Sequence, residues 1–248
     1  MSTIELFQFA GSHFNEKARW GLDWKGVPHE RISLMPGPHM RTVKKLTGAT
    51  QTPVLRDDGR VIAGSTAILE HLEARFPEPP LIPSDAPLRE RALAIVRRFD
   101  DEVGPAIRLA KFFEVMEADY AVGTFCHDQG ALARGVYRAA FPVIGRIMRS
   151  SMGIDAENAA RARETTREAF DFVAKEPGPS GHLVGDTFTI ADLTCAALLM
   201  PAVAVSEWGG PVDADTEKNR AWLARRADHP GTEWVRETYR RHRVPMPR

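Results

Sequence analysis

Thr52, Pro53 and Ser65 are spaced so that they can grip the main chain and the carboxylate of a small peptide. Pro53 opens the apolar run Pro53-Val54-Leu55. Proline lacks an N–H and is excluded from a sheet interior, but the first residue of a strand accepts it. A cis peptide ahead of it turns the chain sharply and leaves the N–H and C=O of Thr52 facing outward. Such an edge pairs with an extended, peptide-like ligand as an added strand. Asp57-Asp58-Gly59 predicts a hairpin turn into Arg60-Val61-Ile62-Ala63. Gly64-Ser65 ends that strand and starts a helix, with Ser65 expected as the N-cap. A helix N-terminus beside an open strand edge suits a carboxylate. The pattern therefore fits a small anionic peptide.

A second local pattern is architectural. In Gly185-Asp186-Thr187-Phe188-Thr189-Ile190-Ala191-Asp192, Thr189 is placed as an N-cap and Asp192 closes a capping box three residues on. Asp192 is thus expected to hold the fold together and not to catalyse. No Gly-x-Ser-x-Gly elbow is present, and the eight histidines lack metal-ligand spacing, so no metal site is expected. Cys126 and Cys195 stand far apart with no Cys-x-x-Cys, which argues against a disulfide or zinc framework.

The elements that must position these residues fall into two groups. Residues 4–9, 30–34 and the two arms of the hairpin read as strands. Helices are predicted over 14–25, 40–46 and 65–76, giving the order strand, helix, strand, helix, strand, strand, helix. Pro77-Glu78-Pro79-Pro80, with Pro83 and Pro87, marks a linker. Beyond it only helices are expected, over 88–120, 131–150, 156–174, 190–206, 216–226 and 232–242, with Pro201 kinking or ending the fourth. The division is a small mixed α+β domain over 1–78, a linker over 79–87 and an all-α domain over 88–248.

This arrangement resembles the cytosolic glutathione transferases. The resemblance rests on Thr52-Pro53-Val54-Leu55, Ser65-Thr66-Ala67-Ile68 and the Thr189–Asp192 box. It implies a thioredoxin-like N-terminal domain followed by the family's helical domain, with glutathione as co-substrate and a homodimer as the working form. By the family pattern Thr52 and Pro53 meet the cysteinyl part of glutathione, and Ser65 with Thr66 meets its γ-glutamyl carboxylate. Gly64 stands where an acidic or amide residue is usual, and Thr47-Gly48-Ala49-Thr50 replaces the commoner Asn-Pro-x-Gly.

The family's serine or cysteine lies seven positions before an arginine of the first helix. Counting back from Arg19 gives Ser12 as the catalytic residue, with His13, Phe14 and Asn15 beside it. Unpaired N–H groups and the dipole at that helix start favour an anionic sulfur. Gln51 takes the place of a contact to the glycine end, and His39, Arg41, Lys44 and Lys45 could add positive charge there. Asp100 or Asp101 could meet the ligand's ammonium. Arg108, Phe112 and Met116, with Phe113, Tyr120 and Phe125, are expected to line a pocket for a small hydrophobic electrophile. The connection 123–130 reads as a long loop, and Arg240-Arg241-His242-Arg243 as a solvated helix end.

Composition narrows the rest. The 248 residues are 43% hydrophobic and 27% charged, ordinary for a globular protein. Equal counts of 33 basic and 33 acidic residues argue against a dedicated nucleic-acid partner. No apolar run approaches the ~20 residues that cross a bilayer, and no secretory leader is visible, so a cytoplasmic location is expected. The enzyme reading has one rival, a non-catalytic glutathione-binding or scaffold protein on the same fold, which the changes at Gly64 and at Thr47 to Thr50 favour.

Overall fold

The computed structural model describes residues 4–127, 129–208 and 215–243. Its first part is a four-stranded sheet of order β2-β1-β3-β4, formed by β1 (Glu5–Gln8), β2 (Glu30–Ser33), β3 (Val54–Asp57) and β4 (Arg60–Ala63). β1 runs parallel to β2 and antiparallel to β3, with Leu6 opposite Leu55 and Phe7 opposite Val54. Successive side chains point to opposite faces. Phe7 and Val54 accordingly meet Val43 of α2 (His39–Thr47) in a small cluster. Leu6 and Leu55 join the main core on the face of α1 (His13–Trp24) and α3 (Ser65–Arg75). The β3–β4 hairpin turns on Asp58 and Gly59 with φ of 49° and 81°, the pair of positive values that a two-residue I′ turn requires. This is the thioredoxin-like half.

The remainder is helical: α4 (Ala86–Arg98), α5 (Gly104–Val115), α6 (Ala118–Phe125), α7 (Ala131–Ser151), α8 (Ala156–Lys175), α9 (Ile190–Leu199), α10 (Glu217–Ala224) and α11 (Pro230–His242). All ten residues of α9 are buried, so it is the central post of this half. Its cap is the expected box. Asp192 accepts from the Thr189 N–H and hydroxyl, both at 2.9 Å, and from the Leu183 N–H at 2.8 Å.

Three expectations need correction. The helix expected over 88–120 is three pieces. Phe99–Val103 is π-helical, and the Gly104 N–H bonds the Phe99 carbonyl five residues back. Pro105 explains the register change, because it has no N–H to donate to the carbonyl four residues before it. The chain then leaves the helix at Met116, which takes φ −72° and ψ 90°, and α6 turns back toward the sheet. Residues 123–125 therefore belong to a helix, and the connection is shorter than read; residue 128 lies outside the described residues. The end of the fourth helix comes at Leu199, with a short 3-10 turn, Met200–Ala202, containing Pro201.

The third correction concerns Arg243, expected to be solvated with Arg240 and Arg241. Its guanidinium is buried, donating to Glu16 and Asp23 at 2.7 Å each. The neighbouring His242 carbonyl accepts from the Trp20 indole at 3.1 Å. The end of α11 is thus clasped against α1.

Candidate active site

α1 carries the site, and its surroundings explain its odd composition. Ten of its twelve residues are buried, among them Asn15, Glu16, Lys17, Arg19 and Asp23. It is wedged between sheet and helical half, so each charge needs a partner. Glu16 takes Arg19 at 2.8 Å and Arg243 at 2.7 Å. Those two cations outweigh the cost of its burial and hold its carboxyl below the ordinary range. Asp23 takes Arg31 and Arg243.

Ser12 is the N-cap residue, in extended conformation at φ −96° and ψ 131°, yet its side chain makes no capping bond. Its N–H donates to the Phe9 carbonyl and its own carbonyl accepts from the Glu16 N–H. The hydroxyl has no hydrogen-bond partner among the described residues. It sits beside the unpaired N–H groups of the first turn, where negative charge is favoured. The loop comes close to α6 because Gly11 has no side chain: a Cβ there would lie 2.5 Å from Thr124 Cγ2.

The structure turns His13 inward. Its Nε2 lies 2.9 Å from the Gly104 carbonyl. Burial first, then the charge of Arg108, pushes its pKa down to about 3. The ring is neutral at ordinary pH and donates through Nε2–H, tying α1 to α5; it does not face the ligand as a base. Phe14 packs on Gly104 and lies under the Arg108 guanidinium at 5.9 Å. Arg108 makes no ion pair or hydrogen bond among the described residues, and burial lowers its pKa. It is a guanidinium without a counter-ion at the domain junction. It also borders a 330 Å³ hollow reaching Met152 and Ala162.

Thr52-Pro53 is a cis peptide, and the segment is pinned from three sides. The Thr52 hydroxyl accepts from Asn15 Nδ2 at 3.2 Å. The Pro53 carbonyl accepts from the Gly64 N–H at 3.0 Å, which places the start of α3 beside Thr52. His39 donates through Nε2 to the Thr50 carbonyl at 3.1 Å and accepts through Nδ1 from the Gly37 N–H at 3.0 Å. Burial lowers its pKa, so His39 braces this loop as a neutral ring and adds no charge. Gln51 is exposed and makes no hydrogen bond among the described residues.

Ser65 was expected as the cap of α3, but the cap position belongs to Gly64 at φ +95°, a conformation that favours glycine. Ser65 is the first helical residue, 6% exposed, and its hydroxyl is likewise without a partner among the described residues. Thr66 is different. It accepts from Lys17 Nζ at 2.5 Å and donates to Asp100 Oδ2. Lys17 also reaches both Asp100 oxygens, at 2.7 and 2.9 Å.

Phe112 is half-buried and meets Phe125 edge-on at 6.3 Å. Cys126 Sγ touches Met35 Sδ at 3.8 Å, so these side chains make an apolar wall beside the β1–α1 loop. Met116 and Tyr120 are core residues, and Phe113 turns away under Arg163. A 530 Å³ hollow between Glu114, Arg163, Lys218 and Arg225 includes no residue of α1 or of the cis-proline loop. Its cations are already paired with Glu114 and Glu117.

Sequence reasoning missed Lys17, Gly104 and Arg243. Pro105 was the available signal for the first contact of α5; Lys17 and Arg243 carried none.

A sheet of this order carrying a cis-proline edge, followed by a helical half centred on a buried capping box, defines a thioredoxin-like fold joined to a helical domain. Residues 6–80 match the glutathione S-transferase N-terminal domain and residues 156–225 the C-terminal domain. The chain belongs to the glutathione S-transferase family and is a transferase-type enzyme. It is 28% identical over 194 residues to a maleylpyruvate isomerase of a Ralstonia species, covering 76% of this chain and 77% of that one. A maleylacetoacetate isomerase of Mus musculus is 28% identical over 151 residues, covering 57% and 66%. Among solved structures, a glutathione S-transferase of Methylobacterium radiotolerans in complex with glutathione sulfonate aligns over 99% of both chains, with TM-score 0.63 and 21% identity. The residues here fit the family's co-substrate: two hydroxyls without a hydrogen-bond partner among the described residues, those of Ser12 and Ser65, stand at two helix starts beside the Thr52 edge.

Proposed function

We propose that the chain binds glutathione along Thr52 and the start of α3, holds its thiolate at the start of α1, and adds that thiolate to a small electron-poor acid. The observation that carries the reading is the half-buried Ser12 hydroxyl, a donor without a partner among the described residues, at the N-terminus of α1. The thiolate is the reactive form, and a free thiol titrates near ~8.5. Lowering that by about two units requires roughly 2.7 kcal/mol, which one hydroxyl donor and a helix end can supply. Ser12 donates a hydrogen bond to sulfur and forms no covalent intermediate.

The sulfur lone pair forms a C–S bond to the electrophilic carbon while the π pair moves toward the conjugated carboxyl or carbonyl oxygen. Arg108 supplies the charge for that oxygen, and Phe112 with Phe125 supplies the apolar wall. If the thiolate leaves again after rotation about the former double bond, the outcome is cis–trans isomerisation. If the carbanion takes a proton instead, it is conjugation. The names of the Ralstonia and mouse relatives favour the isomerase branch. Arg108, the one charge in the expected apolar pocket, adds an anionic group to the small electrophile proposed. A homodimer belongs to this reading.

Ser12→Ala is expected to lower glutathione-dependent turnover about 10²-fold while leaving glutathione affinity within a few-fold by calorimetry. Unchanged turnover would remove the assignment. Arg108→Met should raise KM about tenfold for carboxylate-bearing electrophiles and little for neutral ones. The binder or scaffold reading draws on Gly64; glutathione binding with no turnover of any such electrophile would select it.

A further inference from the structure

The α7 helix is apolar on two opposite sides, and one of them is uncovered. Tyr137, Phe141 and Gly145 are buried on the inner side, where α7 packs on α6. On the outer side stand Leu132, Val136, Val143 and Ile147, at 84%, 62%, 65% and 61% exposure. They are the four most exposed large hydrophobic side chains among the described residues. Steps of four, seven and four positions set them in one stripe along the 21-residue helix. Single exposed apolar residues are ordinary, but a continuous exposed stripe marks a contact surface. The inner side already anchors the helix, so the outer stripe adds nothing to this chain's own core.

We infer that this stripe seats a second copy of the chain, its α7 packed antiparallel across a two-fold axis. A two-fold contact is isologous: if residue i meets residue j of the copy, j meets i. The stripe has that symmetry. Leu132 and Ile147 lie equally far from the midpoint between Ala139 and Ala140, and so do Val136 and Val143. A copy centred there sets Leu132 on Ile147 and Val136 on Val143, each pair twice. The small Ala139 and Ala140 then fall where the helix axes come closest. Charge favours this occupant over an acidic protein or a lipid headgroup layer. α7 carries four arginines and no acidic residue, but Arg138 is paired with Asp119, and Arg149 donates to the Met116 carbonyl at 3.4 Å. By the 3.6-residue turn Arg134 lies across the helix from the stripe, leaving Arg146 at its rim. The contact is thus apolar and independent of the glutathione reading. It also differs from a homodimer formed on any other face.

Light scattering on the intact protein, compared with Val136→Asp/Val143→Asp, tests this. A helix pair is small beside the ~800 Å² per partner of a standard interface, so the expected Kd is on the order of 10 µM. At about 200 µM, well above that Kd, the unaltered protein should approach twice the mass of the variant, with equal thermal midpoints because both positions are exposed. Equal masses would overturn the inference, and a homodimer through another face alone leaves them equal. Association that fades in about 0.5 M salt would also overturn it, since screening does not weaken an apolar contact rimmed by arginines. Cysteine crosslinks fix the register, the native Cys126 and Cys195 being buried. Val136→Cys/Val143→Cys should give a disulfide-linked dimer on mild oxidation. Val136→Cys alone should not, because Val136 and its symmetry copy lie ~10 Å apart along the axis. Linkage in the single variant, or none in the double, would overturn the antiparallel pair. If the masses are equal and the protein instead co-sediments with phosphatidylglycerol vesicles, the stripe is a lipid contact and the inference falls.

Discussion

One helix carries two contrasting polar regions. At the start of α1 the Ser12 hydroxyl has no partner among the described residues. Further along the same helix, Glu16, Lys17 and Asp23 are each held by one or more opposite charges from distant parts of the chain. The first region keeps hydrogen-bonding capacity in reserve, and the second has spent it on joining the two halves. Buried charges are costly unless paired, so the second region is architecture, whereas unspent donors at a helix N-terminus are what a ligand can use. Residue type alone does not separate the two. Ser65 and Thr66 are adjacent hydroxyls, and only the first is in reserve.

The contrast can be broken from the architectural side. Arg243→Met leaves Glu16 and Asp23 with one guanidinium each in a buried setting and is expected to cost about 3–5 kcal/mol of stability in urea unfolding. A loss below 1 kcal/mol would mean that the clasp of α11 on α1 is not holding the halves together.

A second test uses pH. His13 stays neutral in the fold down to about 3, while the unfolded chain takes up a proton as pH falls through about 6.5. The unfolded state then binds more protons across that window. Stability from this site is therefore full above about 6.5 and is lost as pH falls toward about 3, at up to ~1.4 kcal/mol per pH unit. His13→Gln, which keeps a donor for the Gly104 carbonyl, should remove that slope in denaturation curves between these limits. An unchanged slope would mean the ring is not enclosed as described.

Smaller effects sharpen the boundary between the regions. Asn15→Ala frees Thr52 from α1 and should raise KM for glutathione by about 1 kcal/mol, roughly fivefold, with little change in kcat. Gln51→Ala, at an exposed position, should stay within about 0.5 kcal/mol in both stability and affinity.

What could be read beforehand follows the range of each interaction. The Thr189–Asp192 box, the Asp58-Gly59 turn and the Thr52-Pro53 edge are each encoded within a few residues, so their chemistry was visible in the chain and fixed the fold. Lys17 with Asp100, His13 with Gly104 and Arg243 with Glu16 join residues 83, 91 and 227 positions apart. No periodicity reports such partners. α1 shows the consequence: its buried charges are met by counter-charges that the helical half brings from far along the chain. The break at Met116 is equally silent, since Val115-Met116-Glu117-Ala118 holds no glycine or proline. It exists because α6 returns to pack Thr124 on Gly11. For the site, positions were legible but availability was not: the Ser12 and Ser65 hydroxyls have no partner among the described residues, while His13 and Thr66 are already engaged.

The ionisation of the bound thiol tests the role of Ser12 most directly. Ultraviolet titration of thiolate absorbance in the protein–glutathione complex should give a pKa about two units below the ~8.5 of a free thiol, moving back up by at least one unit in Ser12→Ala. A bound thiol that titrates like free glutathione, or one whose pKa is the same with and without the Ser12 hydroxyl, would contradict it.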